Sequence, residues 1–212
     1  MIFHRIFTSA LLLFALSVFA GAARAADISL FVGAELPGSI KYEIPGLGAD
    51  MKLPLDNGPV YGLRYGSNFT RYLDLEHTLA ISPDFLFPSE SISISGPCTP
   101  TIGVECPPPT VVEWKEAKGF LYSGNLVLNF PDMDDRMVPF LTAGIGLVHQ
   151  YGDRDMPVGT KLAFNYGGGV KFPNIAGPLG ARADLRGYRA GMFSKSVNIF
   201  ELSVGLMVSF GR

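Results

Sequence analysis

Charged side chains in this chain fall on one face of a series of alternating stretches. A β-strand points successive side chains to opposite sides, so a period of two sorts its residues into two faces. Eight stretches show this alternation: residues 27–35, 59–69, 73–87, 119–130, 138–150, 161–172, 180–189 and 198–210. Their polar faces carry Glu35, Arg64, Asp74, Glu76, Asp84, Lys171, Arg182, Asp184, Arg186 and Glu201. The apolar faces are expected to carry no charge, with His77 and His149 as their titratable exceptions.

The absence of charges from one strand face indicates whether that face meets water or lipid. A soluble sheet usually carries some charges on both faces near its strand ends, whereas a charge facing lipid at the membrane midplane costs about 2–4 kcal/mol. No apolar run after residue 25 is long enough for a membrane helix. A closed barrel is the sheet that leaves no backbone group unpaired in lipid. The pattern therefore predicts an all-β fold, an eight-stranded antiparallel up-and-down transmembrane β-barrel.

The connections between the predicted strands alternate in length. Residues 36–58 form a long connection and residues 88–118 form the longest, while short turns join the second strand to the third and the sixth to the seventh. Barrels of bacterial outer membranes have long outer loops and short periplasmic turns. We therefore expect the two long connections on the outer surface.

The charges on the polar faces are predicted to point into the lumen. An eight-stranded barrel is just wide enough for side chains to fill its interior, and buried charges must pair. The predicted luminal network consists of Arg64, Asp74, Glu76, Lys171, Arg182, Asp184, Arg186 and Glu201. Because their strands are neighbours, Glu201 is expected to pair with Arg182 or Arg186. A lumen filled in this way argues against a wide pore.

The N-terminus has the features of an export signal. A short basic start precedes an apolar run at residues 6–20, and Ala23 and Ala25 supply the small residues of a cleavage site. We predict a signal peptide at residues 1–25 and a barrel domain at residues 26–212.

The charge of the mature chain excludes a nucleic-acid partner. The full chain has 17 basic and 19 acidic residues, so removal of Arg5 and Arg24 leaves 15 against 19 and a net charge of −4. No basic patch or tail follows the signal. Neither a cofactor site nor a metal site is predicted.

The two cysteines lie in the longest predicted loop. Cys98 and Cys106 stand among prolines and glycines in a chain that is predicted to be exported. Such a pair is expected to form a disulfide. The bond would stabilise the loop by about 2–3 kcal/mol.

The histidines do not predict an enzyme. A lipid-cleaving barrel would need a histidine with a serine close by, and no serine stands two positions after His77 or His149. We expect His77 near the inner membrane interface and His149 where the fifth predicted strand meets an outer loop, both as interface-anchoring residues. No catalytic residue is predicted.

Four strand motifs resemble those of a known family. They are VPFLTAGIGLVHQYG, KLAFNYGGGVKFP, LGARADLRGYR and FELSVGLMVSFGR. The chain resembles the small outer-membrane β-barrels that include the OmpA transmembrane domain, OmpX and the opacity proteins. The resemblance implies an eight-stranded antiparallel barrel that the outer-membrane assembly machinery inserts. The family's assembly signal ends on an aromatic residue, whereas Gly211 and Arg212 follow Phe210 here.

These observations predict a non-enzymatic protein in the outer membrane of a Gram-negative-type bacterium. Its expected partners are outer-membrane lipid and lipopolysaccharide, the assembly machinery, and an extracellular ligand bound through residues 36–58 and 88–118. The alternatives are a lipid-modifying enzyme of the lipid A deacylase kind, a small channel and a soluble periplasmic barrel.

Overall fold

The computed structural model describes residues 26–43, 50–84, 92–94, 110–112, 117–131, 136–152, 159–191 and 196–211. Its strands, in chain order, are β1 (Ala26–Pro37), β2 (Ser39–Glu43), β3 (Asp50–Pro54), β4 (Gly58–Asn68), β5 (Leu73–Ser82), β6 (Ile92–Ile94), β7 (Thr110–Val112), β8 (Ala117–Asn129), β9 (Val138–Gly152), β10 (Thr160–Ala176), β11 (Leu179–Ala190) and β12 (Val197–Phe210). The predicted signal peptide and both cysteines, Cys98 and Cys106, lie outside the described residues.

The described part of the chain contains no helix that is long and apolar enough to cross a membrane.

Eight of the strands close into one barrel in the order β1-β12-β11-β10-β9-β8-β5-β4. Every neighbouring pair is antiparallel. The barrel closes where β1 pairs with both β12 and β4, so that Ala26 lies opposite Phe210 on one side and Ser67 on the other. The predicted eight-stranded antiparallel up-and-down barrel is confirmed.

The third barrel strand is shorter than the sequence predicts. β5 ends at Ser82, and Pro83 and Asp84 form a turn in which Asp84 is exposed. Proline has no backbone N–H to donate to the sheet, which explains why the strand stops there. The prediction that places Asp84 on the polar face of this strand is therefore wrong.

The two long connections contain strand pairs of their own. β2 pairs with β3 from Ser39 opposite Pro54, and β6 pairs with β7 from Ile92 opposite Val112. Both pairs lie within the segments that the sequence predicts as loops, residues 36–58 and 88–118. Each forms a two-stranded sheet separate from the barrel.

The two ends of the barrel differ in the length of their connections. At one end, called the turn end, lie Ala26, Phe210 and the connections at residues 69–72, 130–137 and 177–178. At the other, called the loop end, lie the connections at residues 38–57, 83–116, 153–159 and 191–196. The predicted long connections thus emerge at the same end of the barrel.

The barrel wall is apolar on its outer side and mostly polar on its inner side. Leu30 and Leu206 point outward and are 66% and 73% exposed, while their neighbours Ser29 and Met207 point inward and are buried. Outward leucine, isoleucine, valine and phenylalanine side chains cover all eight strands. The barrel therefore exposes its apolar face and buries its charges, as the sorting of the two faces predicts.

Candidate functional site

An apolar layer lines the lumen at the loop end on six of the eight barrel strands. We call it the apolar collar, and it consists of Val60, Leu121, Val148, Ala163, Ala190, Val197 and Ile199. None of these side chains is more than 4% exposed. Cross-strand pairing joins several of them directly, because Leu121 lies opposite Val148 and Ala190 lies opposite both Ala163 and Val197.

Below the collar lies a group of paired charges, called the central ion cluster. It consists of Arg64, Glu76, Arg182, Asp184, Arg186 and Glu201. Three guanidinium groups face three carboxylates, so the formal charges of the cluster cancel. All six side chains are at most 1% exposed.

One half of the cluster links opposite walls of the barrel. Arg182 Nη1 lies 2.8 Å from Glu76 Oε2, and Arg186 Nη2 lies 2.6 Å from Glu76 Oε1. β11 and β5 are four positions apart in the ring of eight strands, so these ion pairs cross the lumen. Both arginines also donate to Asp184 on their own strand, at 2.8 Å each. The two carboxylates thereby hold the two guanidinium groups from both sides.

The other half of the cluster contains Arg64 and Glu201. Arg64 Nη2 lies 2.5 Å from Glu201 Oε1, and the hydroxyls of Tyr188 and Ser203 donate to the same carboxylate at 2.8 and 2.6 Å. The sequence predicts Arg182 or Arg186 as the partner of Glu201. Although Arg186 lies directly opposite Glu201 on the neighbouring strand, the ion pair of Glu201 is with Arg64, two strands away in the ring.

Aromatic rings support the buried cations. The guanidinium carbon of Arg64 lies 3.6 Å from the ring centroid of Phe31, and that of Arg182 lies 5.0 Å from the centroid of Phe140. Such positions over a ring face stabilise a cation. Neither ring is among the luminal residues predicted from the sequence. The signal was present, because a luminal aromatic residue faces a glycine on the adjacent strand in each case, Gly62 and Gly169.

Two of the predicted network residues form a separate group near the turn end. Lys171 Nζ lies 2.9 Å from Asp74 Oδ2 and 3.5 Å from Asp27 Oδ2. Asn129 Nδ2 donates to the same oxygen of Asp74 at 2.6 Å. The eight predicted residues thus lie in two groups, and Asp27 joins the second group although the sequence pattern does not predict it.

His77 lies on the outer face at mid-height of the barrel. It is the fifth residue of the ten in β5 and follows Glu76 of the central ion cluster. Its Nδ1 lies 3.0 Å from the Tyr122 hydroxyl, and the two rings stack with their centroids 6.1 Å apart. The expected position near the inner interface is therefore wrong. The tyrosine supplies the hydrogen bond that the imidazole lacks among apolar neighbours.

His149 lies near the loop end, as expected. Its Nδ1 is 2.5 Å from the hydroxyl oxygen of Thr160, and its ring stacks on Tyr151 with centroids 5.9 Å apart. An imidazole hydrogen-bonded to a hydroxyl is one element of a nucleophilic catalytic group. The spacing of residues within one strand does not predict this pair, because Thr160 is on β10, directly opposite His149.

The described residues contain no cluster of three or more histidine, cysteine, aspartate or glutamate side chains that could hold a metal ion.

No protein-family model matches the chain, and no curated protein matches it.

Solved structures do match. Neisserial surface protein A superposes with a TM-score of 0.54 and 17% identity over 87% of this chain and 96% of its own. The N-terminal β-barrel domain of Pseudomonas aeruginosa OprF superposes with a TM-score of 0.52 and 15% identity. The match covers 88% of this chain and 98% of the OprF domain. The outer membrane protein AlkL superposes with a TM-score of 0.52 and 11% identity. The match covers 89% of this chain and 92% of AlkL. The chain therefore has the fold of the small eight-stranded outer-membrane β-barrels.

Proposed function

We propose that this protein is a non-enzymatic β-barrel of a Gram-negative outer membrane that supports the envelope and carries recognition elements at its loop end. The observation that carries the proposal is the inverted distribution of polarity. Charges pair inside the barrel, while apolar side chains cover the outside. Such an exterior is stable in lipid and costly in water.

The interior favours a structural role over conduction. The central ion cluster ties opposite walls together with ion pairs of 2.6 to 2.8 Å. The apolar collar lines the lumen above it on six of the eight strands, and the buried Glu35 and Ser82 lie at the same end of β1 and β5. A constriction lined by apolar side chains excludes water and therefore ions. We expect no stable conductance.

The loop end supplies the recognition surface. Residues 36–58 and 88–118 emerge there, and each contains a two-stranded sheet. We propose that these segments face the outside and bind an extracellular ligand. The signal peptide at residues 1–25, a disulfide between Cys98 and Cys106, and insertion by the assembly machinery belong to the same proposal.

A heat-shift gel on isolated membranes tests the location and the closed barrel. Unboiled protein should be in the outer-membrane fraction and migrate faster than boiled protein, because a closed barrel resists SDS. The same purified protein in a planar bilayer should give no steps above the leak of the bare bilayer. Release by osmotic shock without a heat shift would contradict the membrane proposal, and regular conductance steps would contradict the closed lumen.

Deletion of residues 92–112 tests the recognition role. The deletion removes β6, β7 and both cysteines but no barrel strand, so the heat shift should persist. Adhesion of bacteria carrying the protein to cultured cells should fall to the level of bacteria without it. Unchanged adhesion by a correctly folded deletion variant would refute the role of this loop.

A lipid-modifying enzyme is the second candidate, and the hydrogen bond between His149 and Thr160 favours it. The pair lies on the outer face near the loop end, where lipid headgroups would meet the barrel. Mass spectrometry of lipid A from cells with and without the protein separates the two functions. The structural proposal predicts an identical acyl pattern. A pattern that changes with the wild-type protein and reverts with Thr160→Val would favour the enzyme.

A further inference from the structure

Arg189 is a charge on the apolar side of the barrel wall. The other outward residues of β11 are Leu179, Ala181, Ala183, Leu185 and Gly187. Arg189 belongs to the same alternating series, and it is exposed. The prediction that the apolar faces carry no charge is therefore wrong at this residue. Its position explains why the barrel tolerates it, because only Ala190 separates it from the loop end of the strand.

Neighbouring strands carry further polar side chains at the same end. Lys118 is the second residue of β8 and is exposed, and it lies opposite Tyr151 of β9. His149 of β9 lies opposite Thr160, the first residue of β10. We call the outward-facing group formed by Lys118, His149, Tyr151, Thr160 and Arg189 the loop-end rim. It covers four adjacent strands, β8 to β11.

An apolar band lies directly beneath the rim on the same strands. It is formed by exposed side chains that point outward: Ile145, Leu162, Phe164, Tyr166 and Leu185. Cross-strand pairing connects the two zones, because Arg189 lies opposite Phe164. Cations above a wide apolar surface match a molecule with an anionic head and long hydrocarbon chains.

The described outward residues of the other four barrel strands lack this combination. Among the described outward residues near the loop end of β12, β1, β4 and β5 there is no lysine or arginine, and Asn198, Leu36, Tyr61 and Ile81 occupy those positions. The exposed side chains that follow β5 are those of Pro83 and the acid Asp84. Among the outward barrel side chains that the structure describes at this end, the basic ones thus lie on β8 and β11.

We infer that the loop-end rim binds the phosphate groups of an anionic lipid whose acyl chains lie on the apolar band. A guanidinium group can bind phosphate through two parallel hydrogen bonds, and an ammonium group acts as a point charge. The hydroxyls of Tyr151 and Thr160 lie between the two cations in the order of the strands and can donate to the same headgroup. The site lies in the leaflet that meets the loop end, so the inference rests on the proposed membrane function.

Native mass spectrometry of the mature protein tests this site. The protein is purified in an uncharged detergent and titrated with bisphosphorylated lipid A, or with lipid A from which both phosphates have been removed. Wild-type protein should retain the phosphorylated lipid preferentially. The double variant Lys118→Gln/Arg189→Gln should lower its apparent affinity about tenfold. Inorganic phosphate should not compete at the same concentration, because it lacks the acyl chains.

A charge-matched variant controls for net charge. Arg71→Gln/Arg136→Gln removes two exposed cations at the turn end and should leave lipid retention unchanged. An equal loss of lipid retention in the two double variants would overturn the assignment of the rim. So would the absence of any preference of the wild-type protein for the phosphorylated lipid. The heat shift of each variant is measured in parallel. Its absence in the wild-type protein would refute both the membrane function and the rim, whereas a normal heat shift with full retention by Lys118→Gln/Arg189→Gln refutes the rim alone.

Discussion

Arg182 and Arg189 lie seven residues apart on one strand and meet opposite environments. An odd separation places two side chains on opposite faces of a strand, so Arg182 enters the lumen and Arg189 faces outward near the loop end. Arg182 is buried and contacts Glu76 and Asp184 at 2.8 Å each. The position in the alternation thus decides whether a charged side chain is buried and needs protein partners or is exposed on the outer face.

Replacing Arg182 by methionine should destabilise the barrel strongly. The substitution keeps much of the side-chain volume but leaves Glu76 and Asp184 with one cation fewer, and breaking a buried ion pair costs about 3–5 kcal/mol. Urea unfolding from detergent micelles, followed by far-UV circular dichroism or by the fraction of heat-shifted protein, measures the loss.

The exposed Arg136 is the matched control for this substitution. Arg136→Gln should change the unfolding free energy by no more than about 0.5 kcal/mol. Equal stability of the Arg182→Met protein and the Arg136→Gln protein would show that the central ion cluster contributes nothing beyond packing.

At the scale of the element, β9 and β10 show how a glycine-rich strand builds the lumen. Of the three consecutive glycines of β10, Gly168 faces outward and the other two face inward. Gly169 lies opposite Phe140, and a Cβ atom there would overlap the carbonyl oxygen of Ala183 and lie 2.8 Å from the Phe140 ring. The missing side chain lets the ring lie beside Lys171 and Arg182. The motif is thus a packing feature of the wall.

Substitution of Gly169 by valine should destabilise the barrel by about 1–3 kcal/mol, because overpacking forces the neighbouring strand or the Phe140 ring to move. Gly124→Ala is the matched control, since a Cβ atom at this outward-facing glycine meets no atom within 4 Å. The control should be neutral or slightly stabilising. Urea unfolding measures the free energy of unfolding of both variants. A Gly169→Val protein as stable as wild type would contradict the packing role.

At the scale of the whole molecule, the two ends of the barrel are expected to face different compartments. The turn end collects the short connections together with Ala26 and Phe210, and the loop end collects the long ones. The proposed location puts the loop end outside the cell.

Cysteine labelling of intact cells tests this orientation. In a Cys98→Ser/Cys106→Ser background, Asp56→Cys at the loop end should react with a membrane-impermeant maleimide on whole cells. Arg71→Cys at the turn end should react only after the outer membrane has been permeabilised. Both positions are exposed, so the difference reports access rather than burial. The reverse labelling pattern would contradict the orientation.

The mature N-terminus provides an independent check on export. Intact-mass measurement of protein from the membrane fraction should correspond to a chain that begins at Ala26, the first residue of β1. A mass that includes residues 1–25 would show that the predicted signal peptide is retained.

The strand alternation is enough to predict the fold and most of the luminal charges, but not the luminal Asp27 or the rings of Phe31 and Phe140. The sorting of Arg64, Asp184 and Glu201 onto inner faces needed only the two-residue period of an extended backbone. The end of β5 at Ser82 and the strand pairs within the long connections were missed. Pro83 indicates in the sequence that β5 ends at Ser82. The strands β6 and β7 have three residues each, which is too short for an alternating pattern to be recognised.

Alternation assigns the side chains within a strand to the inner or the outer side of the wall, because it is a local property of the extended backbone. Which residues contact one another depends on the closed barrel. Arg182 reaches Glu76 across the lumen, Glu201 pairs with Arg64 rather than with its neighbour Arg186, and Thr160 comes to His149 from the next strand. These contacts depend on how eight tilted strands close and on their relative register, which sets the height of every residue in the barrel. No periodicity within a single strand contains that information.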